Sequence, residues 1–213
     1  MAKRYSIPKV NGRWPRKSLH LIPCLTGTRA FYNSMVENFW NYMIYYYKPN
    51  YNVALITPCS NVKPYPLSPM NRKIIGILKR SKLWDEDRKK PLIEWLFLSD
   101  LLGFVPFTHT WIPPACCYDV PPDIVEENSE LYMKIKNVID KTWLRIHTYF
   151  DKAIIYLPKR YHKLLPKDYG NPSKIIVKYN IFDTKILQKV LTQQIITREN
   201  SNIFWSSANN NDR

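Results

Sequence analysis

Acidic side chains are scarce in this chain. Its 213 residues hold 17 Asp and Glu against 32 Lys and Arg, a formal net charge of +15. A fold does not need that imbalance; it marks a polyanionic partner, nucleic acid ahead of a membrane surface. Long apolar runs are missing, so no segment reads as a membrane span. The basic N-terminus leads into no apolar stretch of the kind a secretory leader carries. The cysteines Cys24, Cys59, Cys116 and Cys117 form no C-x-x-C pair, which removes zinc-knuckle and dithiol redox sites, and the adjacent Cys116 and Cys117 are poorly placed to bridge each other. These absences describe a reduced, cytoplasmic protein with free thiols. No histidines stand as H-x-x-x-H, and His109, His147 and His162 are scattered, so neither a metal nor another cofactor is expected. No internal repeat is present.

Hydrophobic residues make up 45% of the chain, enough for one sizeable core. The expected organisation is a basic N-terminal arm over 1–18, a single α/β core domain over 19–198 and a flexible tail over 199–213. Lys3, Arg4, Lys9, Arg13, Arg16 and Lys17 alternate in the arm with Tyr5 and Trp14. It either lies along phosphates or is a plain disordered terminus.

Periodicity predicts a helix from Thr28 to Tyr47, with Tyr32, Val36, Phe39, Trp40, Met43 and Tyr47 on one stripe and Thr26 or Thr28 as its cap. Tyr42, Tyr45 and Tyr46 lie off the stripe, where they pack on a partner or stack on bases. A strand is predicted over Asn52–Thr57, a helix over Pro69–Lys82, a strand over Leu92–Leu98 and a Pro-rich irregular loop over Ser99–Asp123. Beyond these come a helix over Glu126–Phe150, strands over Ala153–Leu157 and Lys174–Tyr179, and a helix over Asp183–Ile196 capped by Asp183. Alternating strands and helices imply a three-layer α/β/α fold with a mostly parallel sheet. Arg72, Lys73, Lys79 and Arg80 fall on the exposed face of the second helix. Lys159, Arg160 and Lys163 follow a strand. Both groups are candidate phosphate contacts, or else ordinary solvated charge.

The chemistry concentrates after the first strand, in Pro58-Cys59-Ser60-Asn61-Val62-Lys63-Pro64-Tyr65. Ligands of open α/β folds sit beyond the carboxyl ends of the strands, and this loop offers a thiol, a hydroxyl, an amine and a phenol. Cys59 is either a nucleophile, its pKa lowered by Lys63 or a helix N-terminus, or a packed thiol beneath the loop. Lys63 binds an anion or depresses that thiol pKa. Tyr65 stacks, donates a proton or anchors the loop. Ser60 and Ser68 are candidate substrate contacts, although Ser68 also suits a helix cap. Asn71 donates and accepts hydrogen bonds but carries no proton. In Tyr118-Asp119-Val120-Pro121, Tyr118 is a further substrate contact and Asp119 the best acidic candidate, able to read the donor edge of a guanine-like base or to serve only as a turn residue.

The pattern Pro58-Cys59-x-x-x-Lys63-Pro64-Tyr65-x-x-Ser68 resembles the core domain of archaeosine synthases, a tRNA-guanine transglycosylase-related family. Leu102-Gly103-x-Val105-Pro106, the Tyr118–Pro121 stretch, Ile154-Ile155-Tyr156-Leu157 and Tyr161 continue the likeness. The family carries a histidine where this chain has Asn71. The resemblance implies a uracil-DNA-glycosylase-like domain. It also implies tRNA modification, in which an amine, lysine, adds to the nitrile of 7-cyano-7-deazaguanine, by this chain alone or as a split subunit. Implied partners are tRNA, a transglycosylase-like or PUA-containing subunit and a radical-SAM protein. Cys59, Lys63, Tyr65, Asn71 and Asp119 become the expected catalytic set. The alternatives are a non-catalytic RNA- or DNA-binding protein of the same fold, or a DNA glycosylase-like enzyme. The latter is disfavoured because the first loop lacks an Asp/His water-activating motif.

Overall fold

A computed structural model describes residues 25–166 and 172–193. The basic arm, Cys24, the end of the final predicted helix and the tail lie outside the described residues. In chain order the elements are β1 (Leu25–Thr26), a 3₁₀ turn (Thr28–Tyr32), α1 (Ser34–Asn41) running into a π-turn (Tyr42–Tyr46), β2 (Val53–Pro58), α2 (Pro69–Arg80), β3 (Trp84–Asp85), β4 (Lys90–Pro91), β5 (Glu94–Ser99), β6 (Gly103–Pro106), β7 (Tyr118–Asp119), α3 (Pro122–Glu126), α4 (Ser129–Ile146), β8 (Lys152–Ile155), a 3₁₀ turn (Lys159–Lys163) and β9 (Ser173–Ile176). A last helix, α5, is described over 185–193.

The architecture is mixed α/β, and its main sheet is mostly parallel. Five strands run in the order β6-β5-β2-β8-β9. β2 pairs in parallel with β5 and β8, and β8 with β9, while β6 returns antiparallel to β5. The continuous apolar run Val53–Ile56 is buried because β2 is the central strand, covered on both faces. On β5 the period-2 rule separates two environments. Glu94 accepts the Tyr47 hydroxyl at 2.5 Å. Phe104, opposite Leu98 in register, packs on Trp143 of α4 at 5.7 Å. Trp95 and Phe97 point the other way, toward Phe107 and Tyr65. α2 follows directly from the Tyr65 turn, and α5 lies against it through Ser81–Thr192 at 3.0 Å and Arg80–Gln188 at 3.4 Å. No helix among the described residues is long and apolar enough to cross a membrane.

Three expectations need correction. The predicted Thr28–Tyr47 helix is interrupted at Asn33, whose extended backbone and side chain, accepting from Met35 N at 2.9 Å, restart the helix at Ser34. An Asn that bonds its own downstream backbone competes with helix and favours a cap. The Glu126–Phe150 helix begins only at Ser129, for the same reason, with Asn128 accepting from Leu131 N at 3.0 Å. The Ser99–Asp123 segment is not irregular throughout: it holds β6 and β7. Ser99 Oγ accepts from the amides of Leu101 and Leu102 at 3.2 and 3.1 Å, and Gly103 at φ +71° completes the reversal. Pro106 is tolerated because β6 is an edge strand.

Gly103 is required twice. Its φ favours glycine, and a Cβ there would meet Ile139 Cγ1 at 3.3 Å and Val138 Cγ1 at 3.4 Å on α4. Gly103→Ala is expected to cost about 1–3 kcal/mol from the left-handed strain and the crowding together. Urea unfolding checks this, and an unchanged midpoint would remove the argument.

Candidate functional site

β2, β5 and β8 run parallel, so their carboxyl ends share one edge of the sheet. The residue after β2 is Cys59, the residue after β5 is Asp100, and the turn after β8 carries Arg160 and Tyr161. Cys59 N donates to Leu98 O at 2.9 Å, which holds the β2 loop against β5. The short β1–β7 pair brings Tyr118 and Asp119 back to the same edge.

These residues form a connected chain. Tyr161 donates its hydroxyl proton to Asp100 Oδ2 at 2.9 Å, and Arg160 donates to the same phenol oxygen at 3.0 Å. Cys59 Sγ lies 3.4 Å from that oxygen. Because the one Tyr161 proton goes to Asp100, the thiol is the donor on its side. Arg160 also stands 3.9 Å from Asp100. Next to this chain, Lys63 is buried, donates to Ser60 O at 2.7 Å and lies 4.2 Å from the Tyr118 ring centre. The Tyr118 hydroxyl bonds Ser99 Oγ at 2.7 Å and the Tyr65 hydroxyl.

Burial pushes the Cys59 thiol up, and the nearby Asp100 adds to it. Lys63 and the hydroxyls of Tyr161 and Tyr118 pull it back without cancelling the rise. The expectation of a lowered thiol pKa is therefore wrong: Lys63 is in place, but desolvation outweighs it. Burial likewise raises the Asp100 carboxyl, against the Tyr161 hydrogen bond and Arg160, which both lower it. Tyr161 is raised by burial and then by Cys59 and Asp100. The resting site thus holds a thiol, a neutral phenol and a carboxylate more basic than usual, an arrangement suited to moving the thiol proton to Asp100 as sulfur attacks.

A cleft of about 40 Å³ brings together Cys59, Lys63 and Asp119 of the expected set, with Tyr118, Asp100, Arg160 and Tyr161. Tyr65 is fully buried beneath it. Ser68 and Asn71 do not line this cleft. They line a neighbouring, mainly apolar hollow of about 310 Å³ with Cys59, Ser60, Lys73 and Phe182. Ser68 caps α2, accepting from Asn71 N at 3.2 Å, while Asn71 Nδ2 donates to Tyr65 O at 2.7 Å. Asn71 therefore orients the loop, a task an amide performs without carrying a proton.

Sequence reasoning missed Asp100 and Ser99 and assigned Arg160 to phosphates, although its guanidinium turns onto Tyr161. The available signal was position: Asp100 ends a buried strand just as Cys59 does. Arg72, Lys73, Lys79 and Arg80 are exposed on α2, and Lys79 pairs with Glu86 at 2.8 Å. Lys159 and Lys163 are exposed beside the site. Among the described residues, no group of three or more His, Cys, Asp or Glu is gathered for a metal.

A family model described as "Domain of unknown function (DUF5591)" matches residues 36–196. The archaeosine synthase of Methanocaldococcus jannaschii is 27% identical over 155 residues, which is 69% of this chain and 25% of that protein. The archaeosine synthase subunit alpha of Thermoplasma acidophilum is 34% identical over 76 residues, 36% of this chain and 13% of that protein. The chain thus spans a quarter or less of the length of these curated relatives. In fold it is similar to the crystal structure of AF0587, a protein of unknown function, with a TM-score of 0.50 and 17% identity, covering 74% of this chain and 49% of that one. Because the family match extends over well more than half of the sequence and includes every strand of the main sheet, the chain belongs to the DUF5591 family.

Proposed function

We propose that this chain is the catalytic core of an archaeosine-synthase-like tRNA modification, adding an amine to the nitrile of a 7-cyano-7-deazaguanine base. One observation carries the reading: the Cys59–Tyr161–Asp100 hydrogen-bonded chain at the carboxyl ends of parallel strands, in a chain similar to archaeosine synthases. The three-layer, uracil-DNA-glycosylase-like form of the fold belongs to the same proposal, supported by a parallel sheet with side chains of α4 on one face and of the Tyr65 turn on the other.

The cleft of about 40 Å³ is too small for a purine-sized base, so the base occupies the adjoining apolar hollow and presents its nitrile to Cys59. A base reaching such a hollow leaves its stack in the RNA. Cys59 sulfur bonds the nitrile carbon. Its proton passes to Tyr161 oxygen as the Tyr161 proton passes to Asp100. The nitrile nitrogen, which gains the π electron pair, takes a proton from Lys63 and becomes the imine of a thioimidate. The amine then attacks the same carbon and gives one proton to the now neutral Lys63, the C–S bond breaks, and the departing sulfur recovers the proton held on Asp100 through Tyr161. The product is an N-substituted amidine, and the thiol is regenerated.

The basic arm, the α2 face and Lys159 are the proposed phosphate contacts, on a cytoplasmic protein working with tRNA. A transglycosylase-like or PUA-containing subunit and a radical-SAM protein are the proposed partners, in keeping with a relative that is described as a subunit. Incubation with cyano-base tRNA and lysine, read by nucleoside mass spectrometry, tests the reading. A mass increase of one amine per tRNA is the expected result. An unaltered nitrile, with and without a transglycosylase-like partner, would overturn it.

A further inference from the structure

Beside the Cys59 cleft lies a second depression of about 410 Å³, and Asp100 and Arg160 line both. Its other polar walls are Glu126 at the end of α3, Lys163 and Tyr132. Two carboxylates and two cations therefore face one space. Arg160 and Asp100 engage each other and Tyr161. Glu126 and Lys163 are exposed and form no ion pair among the described residues. Tyr132 donates its hydroxyl to Lys163 O at 3.1 Å, which pins the turn that carries Lys163 to α4. The walls are thus held while the two outer charges stay available.

The charge pattern selects the ligand. A phosphate would meet Asp100 and Glu126 as like charges, and a simple amine would meet Arg160 and Lys163. An apolar molecule would desolvate all four without replacing their water. A zwitterion with its carboxylate and ammonium a few ångströms apart satisfies both signs at once. We infer that this depression binds the head group of a free α-amino acid, its carboxylate on Lys163 and Arg160 and its α-ammonium on Glu126, with the side chain directed past Asp100 toward Cys59. The inference rests on the proposed reaction for its purpose: the family resemblance already implies lysine as the amine, and this depression gives its head group a place. It moves Lys163 and Arg160 from phosphate contacts to donor contacts.

Calorimetric titration of the free chain tests the binding without requiring turnover. The probes are L-lysine, cadaverine, which lacks the carboxylate, 6-aminohexanoate, which lacks the α-ammonium, and inorganic phosphate. Lysine is expected to bind, and each truncated analogue to bind roughly tenfold more weakly, the usual scale for losing one charge-assisted hydrogen bond. Lys163→Ala should weaken lysine about tenfold and leave cadaverine unchanged. Glu126→Gln should weaken lysine similarly and leave 6-aminohexanoate unchanged. Both positions are exposed, so neither substitution threatens folding. Equal binding of the three organic probes, tighter binding of phosphate, no binding of lysine, or variants that treat every probe alike would each overturn the inference. If the binding pattern holds while cyano-base tRNA is never modified, the proposed reaction fails and the amino-acid site stands. If modification proceeds while the two variants leave the KM for lysine unmoved, the reaction stands and this site is wrong.

Discussion

Cys59→Ala is expected to lower the rate of nitrile modification by at least about a thousandfold, as removal of a covalent nucleophile does, while tRNA affinity stays within about twofold. The proposed phosphate contacts are on the arm, the α2 face and Lys159, whereas the Cys59 sulfur meets Tyr161 inside the site. Cys59→Ser should be as inactive, because an alcohol at neutral pH ionises far less readily than even a raised thiol. The direction of the thiol shift makes a second reading possible on the wild type. Burial raises the Cys59 pKa above its ordinary value, so alkylation by iodoacetamide should be slow at pH 7. It should still be climbing above pH 8.5, where an unperturbed cysteine is half ionised at about that value. Cys116 and Cys117 also react in principle, so labelling is followed at Cys59 by peptide mass spectrometry. Retained activity in Cys59→Ala would exclude the thioimidate route, and alkylation already fast at pH 7 would overturn the raised thiol pKa.

What was legible in advance divides along physical lines. The β2 strand stood out because a central parallel strand must be apolar on both faces, and Val53–Ile56 is. Pro58 and Pro64 bracket a loop whose chemistry needed no structure to notice. Ser68 read equally as a cap, and its hydrogen bond to Asn71 N bears that out. β6 was not legible. Four residues ending in proline carry no periodicity, and the strand exists because Gly103 turns it back onto β5 and α4 covers it. Asn33 and Asn128 stopped helices that the apolar stripe alone would have extended. The site was legible as far as its local loop. Asp100 belongs to it only through the parallel register of β2 with β5, a pairing between positions about forty residues apart. Arg160 is exposed, as a surface charge should be, but its bond to Tyr161 was not legible because the sequence does not show that the next residue faces inward. The sign of the Cys59 shift was misjudged for a related reason: a neighbouring lysine is visible in a sequence, but the loss of water around a sulfur is not.

Asp100→Asn should separate catalysis from stability. Asparagine keeps an oxygen to accept from Tyr161 but takes no proton, so the chain from Cys59 ends without a base. A loss of about a hundredfold or more in rate is expected. Stability moves the other way. Burial holds the Asp100 carboxyl above its ordinary value, so between the ordinary value of about 4 and its raised value the folded state binds more protons than the unfolded chain. Stability must then fall as pH rises through that window. The full benefit of a protonated Asp100 is present below about pH 4 and is lost once the carboxyl ionises in place. The variant carries no such charge. Relative to wild type it should therefore gain stability on going from acid to neutral pH. Glu94, also buried and raised, contributes its own slope to both proteins and drops out of the difference. Urea unfolding of the pair at acid and neutral pH measures that difference directly. If the variant instead loses stability at neutral pH, then Arg160, 3.9 Å away, and the Tyr161 hydrogen bond outweigh the desolvation of the carboxylate. Asp100 would then be an ordinary paired aspartate with no raised basicity to offer the thiol.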